Sequence, residues 1–375
     1  MGGNIKLIKF KSFCLQEGGN VHVGDVSAQQ ITSKVNRTKL VNDLIKNLLI
    51  LNNQFQKEYG LKIWKNESYL KSGEVFSGSS EHFINLNISD EEYLKHKPKT
   101  GDIDIQIDKS LETNLHDFFK KHNKFGTMEY LGQSQTAIGQ ISSLFKIDGY
   151  MEKSEKKRRL VKKKILIQLD FEFVDVDEKG KPTEWSKFSR SSNWSDIENG
   201  IKGVFHKFAL ANIDHVFTKK IKIKKGKRNP KIIEQEIHFF AFSVQNGLRP
   251  KYRPVPNEKD VWEAIPSKEG NYTQDISQIF ETLFRKKPGK TDRDLFNSFV
   301  GIIELVKKYF NKKQQQKFVN AFVEFIWGKN AQKLYRGNPL QDAEVKNAAM
   351  NYIEKKLKIK KSKYDSIINN YYKNY

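Results

Sequence analysis

The 375 residues include one cysteine, Cys14. A lone thiol can neither close an internal disulfide nor supply a thiolate metal cluster, so disulfide frameworks and zinc ribbons are set aside. The eight histidines are scattered, and none sits four residues from another beside a glutamate, which argues against a helical zinc-hydrolase site. No apolar run approaches the roughly 20 residues of a spanning helix. The longest candidate, Leu48-Leu49-Ile50-Leu51, is ended by Asn52-Asn53. Lys6, Lys9 and Lys11 break the stretch a signal peptide would need, and Lys6 stands where a myristoylation motif requires Ser or Thr. The expectation is a cytoplasmic protein with no membrane partner.

Positive charge is what the chain has in excess. Sixty-seven Lys and Arg against 44 Asp and Glu leave a net +23, a surplus that repels itself unless a polyanion offsets it. Nucleic acid, RNA first, is therefore the expected macromolecular partner. Apolar residues make up 37% of the chain, with 26 Phe and 14 Tyr, enough for a buried core. The length exceeds one ordinary domain and points to two.

The patterning predicts an α+β protein. Apolar positions from Thr38 through Phe55 recur at helical spacing. Ser89-Asp90-Glu91-Glu92 is a capping-box pattern that opens a short helix, and Ser195-Asp196-Ile197-Glu198 is a second, leading into the stripe Ile197, Ile201, Val204, Phe205 and Phe208. Ile103, Ile105 and Ile107 alternate with Asp102, Asp104, Gln106 and Asp108, the period of a strand with one apolar face. The segment from Ile165 to Phe173 alternates acids with apolar residues in the same way. Strands from Ile221 and from Ile233 are joined by a basic hairpin tip, Lys224-Lys225-Gly226-Lys227-Arg228. Pro250, Pro254 and Pro256 lie in a charged stretch, and beyond about residue 273 every pattern is helical. The division expected is an α+β domain over 1–255 with an insertion near 81–100, a connector over 256–272, and a helical domain over 273–375 with a basic tail. Gly289-Lys290-Thr291 ends like a phosphate-binding loop, but Phe284 stands where the first glycine must be, so it reads as a turn.

The acids carry the chemistry. Carboxylates at i and i+2 on one strand point to the same face, so Asp102 and Asp104 can share a pair of metal ions about 3.5–4 Å apart. A third carboxylate from a neighbouring strand, Asp170 or its rival Glu172, completes such a set. Hard oxygen ligands suit Mg2+ or Mn2+. Gly78 permits close backbone approach to a nucleoside triphosphate, and Ser79 or Ser80 can donate to its phosphates.

At these residues the sequence resembles the nucleotidyltransferase superfamily that includes DNA polymerase beta, poly(A) polymerases and CCA-adding enzymes. The pattern of that superfamily is an apolar residue, Gly, Gly or Ser, a gap, then Asp-apolar-Asp-apolar. Here it stands as Phe76-Ser77-Gly78-Ser79 and Gly101-Asp102-Ile103-Asp104-Ile105, with Asp170 in Gln168-Leu169-Asp170-Phe171 matching the later strand acid. Glu17-Gly18-Gly19-Asn20 together with the Gly-Asp-Ile-Asp strand also resembles uncharacterised nucleotidyltransferase-like proteins of tailed phages, over about residues 15–255. The resemblance implies a mixed β-sheet flanked by helices, metal binding by Asp102 and Asp104, and an Asp170 that deprotonates or orients the acceptor hydroxyl; it leaves the helical end unexplained. One departure is that 22 residues separate Ser79 from Asp102, where the superfamily has about ten. That excursion bears on Ser79 and Ser80 as phosphate ligands more than on the acids.

The function expected is transfer of a nucleoside monophosphate from an NTP to a hydroxyl at an RNA or tRNA end. Lys224, Lys225, Lys227 and Arg228 of the hairpin, with Arg249, Lys251 and Arg253 beside the connector, are the candidate nucleic-acid contacts. Tyr130, Tyr252 and Trp194 are alternatives for base stacking or for core packing. Two other readings stand beside this one: transfer to a protein hydroxyl, as by toxin-like AMPylators, and a non-catalytic nucleic-acid-binding or virion-associated protein retaining the fold. A phage protein would act in the host cytoplasm or the virion.

Overall fold

Asn36 accepts a hydrogen bond from the backbone N–H of Lys39 and so starts helix α1 (Arg37–Tyr59), which Gly60 ends in the left-handed conformation at φ 68°. Leu40, Leu44, Leu48, Leu51 and Phe55 form its buried stripe. The computed structural model describes residues 22–375 apart from 24–25, 29–30, 33, 98, 134–138, 153–159, 191–192, 227–229, 245, 332 and 335–337. The chain divides into two units, Met1–Ser192 and Asn193–Tyr375.

In the first unit a small hairpin joins β1 (His22–Val23) to β2 (Val26–Ser27), and β3 (Ile31–Thr32) pairs with β4 (Lys99–Thr100). After α1 come three short helices, α2 (Glu67–Lys71), α3 (Ser80–Ile84) and α4 (Asp90–His96), and then β5 (Asp102–Asp108) and α5 (Glu112–Lys121). Three antiparallel strands follow β6 (Lys124–Phe125): β7 (Met128–Gln133), β8 (Gln140–Glu152) and β9 (Leu160–Val174). The sheet order is β5-β9-β8-β7-β6, with β5 parallel to β9 and the other pairs antiparallel. One face of β5 and β9 carries Ile103, Ile105, Ile107, Ile167, Leu169 and Phe171, all buried. Phe119 of α5 lies 5.5 Å from the Phe171 ring, and Phe118 lies 5.3 Å from Phe55 of α1, so both helices cover this face. The opposite face carries the acids. Helix α6 (Glu184–Arg190) supports it, the Gln106 side chain donating to the Ser186 carbonyl at 3.2 Å.

The second unit begins with α7 (Trp194–Glu198) and α8 (Val204–Ile213). Its four-stranded sheet runs β11-β10-β15-β14, where β10 is Lys219–Lys225, β11 is Lys231–Ile237, β14 is Tyr252–Pro254 and β15 is Val261–Ala264. A separate hairpin pairs β12 (Phe240–Ser243) with β13 (Gly247–Pro250). Only helices follow among the described residues: α9 (Ile276–Phe284), α10 (Lys290–Phe296), α11 (Phe299–Tyr309), α12 (Lys312–Trp327), α13 (Pro339–Leu357) and α14 (Asp365–Lys373). The α+β class and the helical C-terminal region are as expected from the sequence. Among the described residues no helix is long and apolar enough to cross a membrane.

The division falls at 192/193, earlier than the 255 expected. The reason is aromatic packing. Phe205 of α8 contacts Phe299 and Phe322, each at 6.3 Å, and Phe208 contacts Phe325 at 5.0 Å, so α8 is core to the helices that follow it. The stripe from Ile197 to Phe208 is also two helices rather than one. Asn193, not Ser195, caps α7, and Gly200 at φ 72° turns the chain before α8. Asp196 instead accepts from the backbone N–H groups of Phe299 and Val300, both at 2.9 Å, and caps α11 across the unit. Gly289 is the N-cap of α10, its N–H donating to the Asp292 carboxylate at 2.8 Å, so Lys290 and Thr291 open a helix where the sequence reads as a turn.

Candidate metal centre and nucleotide site

Parallel pairing of β5 with β9 sets Asp102 opposite Gln168, Asp104 opposite Asp170 and Gln106 opposite Glu172. Partners across two strands share a face, so the alternation in each strand places five polar side chains and Asp102 on one surface. Asp102, Asp104 and Asp170 each bring a carboxylate oxygen to within 4.8 Å of the others.

The Gly-Ser segment lies along the free side of β5. Gln106 N–H donates to the Val75 carbonyl at 2.7 Å and Ser77 N–H to the Asp104 carbonyl at 3.2 Å, extending the sheet by a short antiparallel stretch. Gly78 then turns at φ 59°, and a Cβ built there would stand 3.3 Å from the Asp104 carboxylate. Its N–H donates to the Arg190 carbonyl at 3.0 Å, and α3 begins at Ser80. Ser80 is fully buried. Its hydroxyl accepts from the Asp104 N–H at 2.8 Å and donates to the Asp104 carboxylate at 3.3 Å. Ser80 thus holds Asp104 in place instead of facing a phosphate, and the Gly78 amide is likewise engaged. Ser79 is the member of the trio that keeps an accessible side chain, and Lys97 donates to its hydroxyl.

Glu172 has a different role from Asp170. It is buried, accepts from the Ser77 hydroxyl at 2.6 Å, and pairs with the Arg190 guanidinium at 3.0 Å. With the Gly78-to-Arg190 backbone bond, this makes a clasp that ties α6, β9 and the Gly-Ser turn together. Asp170 meets a neutral partner, the Gln168 amide, which donates to its two oxygens at 3.0 and 3.1 Å. That leaves Asp170 to complete the trio.

The trio is electrostatically loaded. Burial, reinforced by the charge of Asp102, pushes the Asp170 carboxyl up to about 7 against donors in Gln168 and Ser142 that work the other way. Burial and the charges of Asp102, Glu172 and Asp170 raise Asp104 well above the usual carboxylate range, with Lys97 opposing them. A divalent cation relieves both burial and repulsion, and an all-oxygen donor set fits Mg2+ or Mn2+.

The expected nucleic-acid contacts lie in the second unit and are unequal. Arg249 is 8% exposed and donates to Tyr272 Oη at 3.0 Å and to the carbonyls of Pro250 and Ile265 at 3.0 and 3.3 Å. It braces the fold, which leaves it no face for a phosphate. Lys251 meets His238 Nε2 at 2.9 Å, and burial lowers its pKa. Arg253 pairs with Glu263 at 2.6 Å on β15. On the hairpin Lys224 pairs with Glu258, while Lys225 is exposed and bonds Gln235 at 2.9 Å. Lys227 and Arg228 lie outside the described residues. Tyr130 stacks on Phe119 at 4.8 Å, a packing role; Tyr252 is on β14 and Trp194 begins α7.

Sequence reading missed Lys97, Arg190 and the bracing role of Glu172. No spacing marks Arg190, whereas Lys97 could have been suspected from its place at the end of the capped excursion. Comparison of the chain with protein-family models, with curated proteins and with solved structures finds no match.

Proposed function

We propose that the protein is a metal-dependent nucleotidyltransferase on a DNA polymerase beta-like fold, moving a nucleoside monophosphate from an NTP to a hydroxyl. The observation that carries the reading is the convergence of Asp102, Asp104 and Asp170, two on one strand and one opposite, beside a Gly-Ser turn fastened to Asp104. Asp102, Asp104 and Asp170 would hold Mg2+ or Mn2+. Bound there, the metal would offset the charge on the transferring phosphoryl group and make the acceptor hydroxyl more acidic. The acceptor oxygen attacks the α-phosphorus, the bond to pyrophosphate breaks, and the hydroxyl proton passes to Asp170. Ser80 and the Glu172–Arg190–Ser77 clasp keep Asp104 and the turn in register throughout.

The +23 charge favours an RNA end as acceptor. The test is incubation with Mg2+ or Mn2+ and each α-labelled NTP, alongside an RNA pool including tRNA and a protein pool. Label on RNA is expected. Label on protein would move the acceptor to a protein hydroxyl, and no transfer by a preparation that binds RNA would leave a non-catalytic binding protein. Binding to RNA should weaken steeply with salt. Replacing Lys224, Lys225, Lys227 and Arg228 by Ala should lower the slope of log K against log salt by about 0.7 per lost phosphate contact.

A further inference from the structure

The excursion between Ser79 and Asp102 is built too firmly to be a passive loop. Ser89 accepts from the Glu92 N–H at 3.1 Å and caps α4, and Tyr93 is buried, its ring 5.7 Å from Phe83 and its hydroxyl bonded to Thr100. Arg37 reaches in from α1. It is 4% exposed, pairs with Asp90 at 2.8 Å, and donates to the carbonyls of His82, Phe83, Asn85 and Ile88. One guanidinium thereby gathers α1, the end of α3 and the start of α4.

What this bracing delivers is Lys97. Its N–H donates to the Tyr93 carbonyl at 2.9 Å and closes α4. Its ammonium donates to the Ser79 hydroxyl, at the accessible position of the Gly-Ser turn.

We propose that Lys97 holds the terminal phosphates of the donor nucleotide, carried by the excursion to the position beside Ser79, and makes the site selective for nucleoside triphosphates over monophosphates. The inference rests on the nucleotidyltransferase reading. An ammonium has three donors, and its charge-assisted bond to a phosphate oxygen is stronger than a bond to a neutral hydroxyl. An amide at this position can still bond Ser79 but carries no charge.

The experiment is equilibrium binding of a non-hydrolysable NTP and of the matching monophosphate, in Mn2+, to the full chain and to Lys97→Gln and Lys97→Arg, with Mn2+ binding without nucleotide measured by electron paramagnetic resonance. Lys97→Gln should bind the triphosphate ~10-fold or more weakly. Monophosphate affinity should hold, Lys97→Arg should keep most of the preference, and Mn2+ binding should be equal or tighter in Lys97→Gln. Unchanged triphosphate affinity in Lys97→Gln, or equal weakening of both nucleotides, overturns the role of Lys97 while leaving the acids in place. A parent chain that binds neither Mn2+ nor nucleotide overturns the nucleotidyltransferase reading itself, and the role of Lys97 with it.

Discussion

Asp104 and Asp170 are register partners on adjacent parallel strands, and each is linked to a neutral polar group: Asp104 to the Ser80 hydroxyl, Asp170 to the Gln168 amide. Neutral donors fix a carboxylate without cancelling its charge. Glu172, one pair further along the same face, has its charge met by Arg190. The face therefore separates two acids held by neutral donors from an acid whose charge is met within the scaffold.

Asp102→Asn and Asp104→Asn should each abolish transfer while leaving the metal-free melting temperature level or higher, since each removes a repelling charge. Millimolar Mn2+ should raise the melting temperature of the parent and not of the variants. Thermal melts with and without Mn2+ check both statements. A large loss of stability in the metal-free variants would make these acids structural.

The Asp170 carboxyl titrates near 7 in the folded chain against an ordinary 3.8. A carboxyl whose folded pKa is raised stabilises the fold at low pH and loses that contribution as pH climbs through this window, from about 4 to about 7. Without metal, Asp170→Asn should gain on the parent in melting temperature across that range. Saturating Mn2+ should reverse the order at pH 7 by stabilising the parent alone. Parallel melting curves from pH 4 to 7 would show that Asp170 is not held protonated.

Single-turnover transfer separates Asp170 from Glu172. Asp170→Asn should slow the chemical step by about 10²-fold or more with NTP affinity largely kept. Glu172→Gln should leave more of the rate, yet lower stability by about 1–3 kcal/mol because buried Ser77 and half-buried Arg190 lose a charged partner. A dead Glu172→Gln beside an active Asp170→Asn would contradict the assignment.

Gly78→Ala puts a side chain at φ 59° and 3.3 Å from the Asp104 carboxylate. Gly60→Ala, at φ 68° with open space around it, carries the same backbone penalty away from the site. Each should cost about 1–2 kcal/mol in the melt. Only Gly78→Ala should also slow transfer, by displacing Asp104; equal transfer rates in the two variants would detach the turn from the acids.

How far the sequence was legible depends on the range of the interaction concerned. Alternation in Asp102–Asp108 and the stripe of α1 are local consequences of period and burial, and the structure has both where they were expected. The capping role of Ser89 is also local, and its hydroxyl accepts from Glu92 N–H as the pattern implies. Arg190, Lys97 and Arg249 were not legible in the same way. Whether a basic side chain meets a carboxylate, a hydroxyl or a pair of carbonyls is decided by contacts distant in the chain, and composition registers all three alike. The division at 192/193 was not legible for a related reason, because nothing near Phe205 says that its partners are Phe299 and Phe322.

The most direct test of the central claim is a crystal of the protein soaked with Mn2+ and a non-hydrolysable NTP, read by anomalous scattering. Manganese is expected on Asp102, Asp104 and Asp170, with the nucleotide's phosphates between that metal and Ser79. A nucleotide bound elsewhere, or manganese absent from the three acids at saturating concentration, would contradict it.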